Sequence, residues 1–136
     1  MKSALFVLLV SFCLAFTGCT AKEKHARNTA AAKSWLAVNN GAGGARVSGA
    51  WKPSDEGWGA AILEQKGSRI TGAIGDYAVE GHVKERDVYL VLWQGGSAHY
   101  SAVLRKNGPN LSGFYSESVP FDTRYQHKFA LRRVAG

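Results

Sequence analysis

Cysteine is nearly missing from this chain: it has two, Cys13 and Cys19, and none after position 19. Whatever folds downstream must do so without a disulfide, even in an oxidising compartment. No apolar run reaches the roughly 20 residues that a helix needs to cross a bilayer; the longest, Ala4–Phe16, has thirteen. Catalytic signatures are absent too, with no nucleophile elbow, phosphate loop or dinucleotide fingerprint. His82, His99 and His127 fall on different predicted strands without paired carboxylates or thiolates, so metal-ligand spacing is lacking and no metal is expected. Asp55, Glu56 and Asp87 fall in predicted turns, where carboxylates commonly bond backbone or stay solvated. Neither enzymatic activity nor a cofactor is expected.

What is present begins with a leader. Met1-Lys2-Ser3 supplies a positive start and Ala4–Phe16 an apolar centre, the layout of a signal peptide over residues 1–18. It ends in Phe16-Thr17-Gly18-Cys19, which resembles the bacterial lipoprotein signal (lipobox), with Phe16 standing where that family usually has Leu. The resemblance implies acylation of Cys19, palmitate included, and anchorage in a membrane. Thr20 stands where an Asp would retain such a protein at the inner membrane, so the resemblance implies the outer membrane, facing the periplasm. The alternative is an ordinary secretory leader with a chance cysteine. The formal charge of the whole chain is +7, and loss of Lys2 with the leader leaves +6. Such a basic surface attracts phospholipid, lipopolysaccharide or acidic protein, or else serves solubility alone. Nucleic acid is not expected at this address.

Residues 19–46 read as a lipidated tether. Thr20–Asn28 is polar and mixed in charge, and Ala30–Val38 allows a short helix capped by Asn28 or Thr29, with Trp35, Leu36 and Val38 as its apolar edge. The helix would either plug one mouth of the domain that follows or belong to a linker.

That domain, residues 47–134, is organised around Asp87–Gln94, whose run Val88-Tyr89-Leu90-Val91-Leu92-Trp93 reads as a strand covered on both faces. Around it the period is two, giving eight strands: Val47–Lys52, Trp58–Gln65, Arg69–Ile74, Tyr77–Val83, Asp87–Gln94, Ala98–Arg105, Leu111–Ser116 and Tyr125–Arg132. Short connections rich in Gly, Asn and Asp predict hairpins between sequence neighbours. The expected fold is all-β: an eight-stranded antiparallel up-and-down (meander) barrel. An apolar-any-Gly triplet recurs at Gly49, Gly72, Gly81 and Gly113, the pattern of bends where a tightly coiled sheet brings neighbouring backbone or a ring close, or else of ordinary glycines near turns.

Gly49-Ala50-Trp51 on the first strand, with Arg132 and Arg133 on the last, resembles the calycin arrangement of lipocalins and avidins. The resemblance implies that Trp51 closes one barrel end and that Arg132 or Arg133 lies across its ring. Phe121-Asp122-Thr123-Arg124-Tyr125 does not reproduce the lipocalin Thr-Asp signature, so the family's ligands are not carried over.

If Phe129 and Leu131 point inward, period two sends Tyr125 and His127 inward as well, and Tyr77 and Tyr100 share inward faces on their own strands. These four are the candidate lining of a small-molecule site, although barrels of eight strands are also commonly filled by their own side chains. Val119, Pro120 and Phe121, in the loop Glu117–Arg124, form a candidate exposed apolar tip for a partner. Two functions compete, with a structural envelope protein that has no discrete ligand as a third reading. One is a lipid-anchored, non-enzymatic periplasmic barrel that binds a small amphipathic or anionic ligand or an envelope component. The other is a protein-binding inhibitor or immunity lipoprotein, similar to periplasmic lysozyme inhibitors, acting through its loops; the basic charge tells against a basic lysozyme as its target.

Overall fold

Alternating apolar residues and glycine-bearing turns fold the chain into β1 (Gly49–Pro53), β2 (Ala61–Lys66), β3 (Arg69–Ile74), β4 (Tyr77–Lys84), β5 (Asp87–Gln94), β6 (Ser97–Asn107), β7 (Asn110–Ser116) and β8 (Gln126–Arg133). The computed structural model describes residues 28–41 and 44–134; the leader, Cys19 and the tether to residue 27 lie outside them. Each strand pairs antiparallel with its sequence neighbours, and β1 closes on β8 through Trp51↔Arg133, Lys52↔Arg132 and Pro53↔Leu131. The expected meander barrel is the observed one.

Two stretches expected in strands are not there. Trp58 ends a 3-10 turn, Glu56–Trp58, because the Asp55 carboxylate accepts from the Gly57 N–H and starts the turn. Tyr125 ends a second, Thr123–Tyr125, which Asp122 initiates in the same way through the Arg124 N–H.

The interior is filled. Trp51, Leu63, Ile70, Ile74, Val83, Leu90, Leu92, Leu104, Leu111 and Leu131 are all essentially inaccessible to solvent and form one cluster. Outward positions such as Lys52, Glu64, Arg69 and Lys128 are polar and exposed, the inverse of a lipid-facing barrel wall.

β5 is the exception on the outside. Val88, Leu90 and Leu92 face the core, while Tyr89, Val91 and Trp93 face outward and would be wet if nothing covered them. A helix, α1 (residues 28–38), lies over them. Ala32 and Leu36 are buried there with Val91, and the Trp35 ring meets Tyr89 edge-on at 5.7 Å and 78°. The helix therefore neither plugs a mouth nor belongs to a linker: the apolar outer face of β5 is the surface it satisfies. Its stripe is Ala32, Trp35 and Leu36, one helical face, whereas Val38 points to solvent, 71% exposed.

Beyond the helix the chain crosses the end of the barrel where β1 begins and β8 ends. The Ser68 hydroxyl donates to Asn40 Oδ1 (2.7 Å), the Ala45 N–H to the Glu85 carbonyl (3.0 Å) and the Val47 N–H to Gln65 Oε1 (2.8 Å). Ala45 and Val47 are buried in the core, so the chain around them forms the floor of the barrel.

Candidate functional site

The floor is locked around Trp51. Its Nε1–H donates to the Val47 carbonyl at 2.8 Å, and the Arg133 guanidinium lies 4.4 Å above its ring. Arg133 also donates to the carbonyls of Ser48 (2.7 Å) and Arg46 (3.2 Å), while Arg132 faces the outer wall beside Lys52. Gly49 makes the arrangement possible. Its φ of +134° suits glycine, and a Cβ there would stand 2.8 Å from Arg133 Nη1.

The other end, the mouth, is stoppered by Trp58. The loop between β1 and β2 swings its ring across the opening, where it meets Tyr77 (5.9 Å) from β4, Tyr100 (5.2 Å) from β6, Tyr115 (5.1 Å) from β7 and Phe129 (5.3 Å) from β8. The pairs with the three tyrosines are edge-on, the favourable arrangement for rings. Burial, and then a hydrogen bond with Tyr77, raise the Tyr100 phenol above its ordinary pKa.

Of the four expected lining residues, the structure brings Tyr77 and Tyr100 together, 5.4 Å apart. His127 has the inward register but sits at the exposed rim, stacked on Tyr115 at 5.0 Å and 27°. Tyr125 is not part of the set: the 3-10 turn carries it outward, 58% exposed, with the Arg124 guanidinium 5.5 Å over its ring. Trp58, Tyr115 and Phe129 complete the cluster. Tyr115 shares the inward register of Leu111 and Gly113, a signal carried by the alternation of β7 itself.

The loop from 117 to 125 is pinned at its start and folded inward. The Ser101 hydroxyl donates to the Ser118 carbonyl at 2.6 Å, and the Ser118 N–H donates to Ser116 Oγ at 3.0 Å. Val119, only 8% exposed, joins Ala32, Leu36, Val91 and Ala98 under the helix, Phe121 is half-buried, and Pro120, after a cis peptide bond, is exposed. The expected apolar tip therefore does not exist as a free surface, because the same outward face of β5 that recruits the helix recruits Val119.

What the mouth loops do present is negative charge. Asp55, Glu56, Asp76 and Glu117 are exposed there, and Asp122 is paired with Arg124 at 2.8 Å, which holds its carboxyl below the usual range. Among the described residues no three His, Cys, Asp or Glu stand where they could hold a metal ion. Grooves lie on the outer wall; one of about 420 Å³ runs between Lys52, Arg132, Asn110 and Ser112.

The chain matches no protein-family model, no curated protein and no solved structure. The described geometry is a stoppered barrel with a packed core, an acidic aromatic mouth and a floor locked by Trp51 and Arg133.

Proposed function

We propose that this protein is a lipid-anchored, non-enzymatic binding module of the cell envelope that engages a partner protein through the loops around its mouth. The observation that carries this reading is the filled interior, closed at the mouth by Trp58 against four rings. Side chains pack the described interior, which favours recognition at the outer surface, where a rigid scaffold presents its loops. Charge supports the same choice. The overall balance is basic, but Asp55, Glu56, Asp76 and Glu117 make the mouth locally acidic, so a basic partner meets attraction there rather than repulsion. The lipid anchor rests on Cys19 and the leader before it, and placement at the outer membrane on Thr20.

The test is photo-crosslinking in cells from residues introduced at Glu56 and Glu117 on the mouth and, as control, at Glu64 on the wall. A discrete protein adduct from the mouth positions alone supports the reading. Equal adducts from Glu64, or a small molecule that co-purifies with the protein and is lost in Tyr77→Phe/Tyr100→Phe, would overturn it in favour of a ligand-binding barrel.

A further inference from the structure

The charge of this barrel is sorted by end. Arg46 on the floor, Lys66 and Arg69 flanking the β2–β3 turn, Lys84 and Arg86 around the β4–β5 turn, and Lys106 near the end of β6 all converge on the closed end. Among the described residues none of the six is in an ion pair. The carboxylates at that end are Glu85 and Asp87, and Asp87 is taken by Arg105 at 2.8 Å. The opposite end carries Asp55, Glu56, Asp76 and Glu117; its Arg124 is taken by Asp122, and Glu56 alone of the four lines an outer groove with Lys52 and Arg132. A molecule polarised in this way is oriented, not merely attracted, by a charged surface.

We propose that the basic closed end docks on an anionic bilayer surface, so that the acidic mouth faces away from the membrane. The proposal rests on the lipid anchor at Cys19, which places a bilayer next to the domain. Thr20–Arg27, ahead of the helix, spans eight residues, a reach of about 27 Å when extended. The helix starts near the mouth, where Thr29 and Lys33 share a groove with Gly96 of the β5–β6 turn, and ends at the floor beside Ser68. At 1.5 Å per residue it covers about 16 Å of the barrel wall. A tether of that reach can double back along the wall and let the floor meet the headgroups. The tether also carries Lys22, Lys24 and Arg27 against Glu23, so tether and floor favour the same surface. Anionic lipid then holds one end down, and repulsion of the mouth carboxylates keeps the other end up.

The test uses the full mature chain with Cys19→Ser, so that no acyl chain contributes, and phosphatidylcholine vesicles with and without phosphatidylglycerol. Binding is expected only with phosphatidylglycerol and should vanish in molar salt, where screening shortens to ~3 Å. Lys66→Gln/Lys84→Gln/Arg86→Gln on the floor should weaken it on the order of a hundredfold, at about fivefold per charge. Lys33→Gln/Lys52→Gln/Lys128→Gln on the wall should leave most of it. Equal losses from floor and wall would reduce the effect to net charge and overturn the proposal. So would a loss confined to Lys22→Gln/Lys24→Gln/Arg27→Gln, or a floor triple that weakens binding to purified cell-wall sacculi but not to vesicles. The anchor is read separately, by palmitate labelling of the wild-type chain. Absence of label with vesicle binding intact removes the anchor and keeps the docking face; label without phosphatidylglycerol-dependent binding does the reverse.

Discussion

Trp51 and Arg133 offer the sharpest test of how the barrel is held closed. Trp51 is 1% exposed, and a buried indole removes about 150–250 Å² from water, worth ~4–6 kcal/mol at 25 cal/mol per Å². Alanine retains part of that burial, while the cavity and the lost Nε1–H bond to Val47 add to the cost, so Trp51→Ala should destabilise by ~3–5 kcal/mol. A domain of this size has ~5–15 kcal/mol in all, and the variant should be close to unfolding. Arg133→Met keeps the aliphatic stem but removes the guanidinium 4.4 Å above the ring and its bonds to the Ser48 and Arg46 carbonyls. A double-mutant cycle of Trp51→Leu and Arg133→Met, followed by urea denaturation of the Cys19→Ser chain, isolates the stacking part. Its coupling should be ~1–2 kcal/mol, since the contact is partly desolvated. Coupling below about 0.3 kcal/mol, the additivity limit for independent sites, would refute the idea that Arg133 acts on Trp51; a Trp51→Ala loss under ~1 kcal/mol would remove Trp51 from the core.

Cys19→Ser should abolish acylation, read by metabolic palmitate labelling, and persistent label would place the lipid elsewhere. Trp58→Ala removes four ring contacts at ~0.5–1.5 kcal/mol each and should cost ~2–6 kcal/mol while opening the mouth to an environment-sensitive dye; an unchanged melt with no dye uptake would mean that Trp58 is not the stopper. His82 is half-buried with Nδ1 unpartnered, and burial lowers its pKa, with Arg69 adding to the effect and Glu80 opposing it. The unfolded imidazole then takes up a proton that the native one resists, so stability is full above about pH 6.5 and falls as pH drops below it. Urea midpoints on the two sides of that pH should converge in His82→Gln, and an identical slope in the variant would assign the effect to another group.

The strands were legible because their two signals are local: alternation along each segment and a turn residue between segments. Asp87–Gln94 and Arg69–Ile74 begin and end where the pattern places them. β8 also separates its arginines by register, since Phe129, Leu131 and Arg133 share one face. The failures occur where a side chain interrupts the period. Asp122 starts a turn just before β8, so extrapolating the alternation back to Tyr125 gave an inward residue that the structure turns outward. Asp55 does the same ahead of Trp58. The helix was readable as a helix but not its seat, because an apolar stripe does not say which surface it meets. The outward Tyr89, Val91 and Trp93 held that information, and their demand for cover also explains why Val119 is buried. Net charge misled in another way: a single number averages over two ends that the alternating strand directions keep apart.

The closure between β1 and β8 also determines when the fold can be completed. Arg133 bonds the Ser48 carbonyl across 85 residues, whereas β5 and β6 meet through a two-residue turn and eight paired positions. Joining ends so far apart costs ~3 kcal/mol more chain entropy than closing a short hairpin, and three paired positions along β1–β8 repay little of it. The central hairpins can therefore form while β1 still waits for β8. Until Arg133 arrives, β1 and β7 each present an open strand edge, so the interval between emergence of β1 and docking of β8 is when one copy can pair with another.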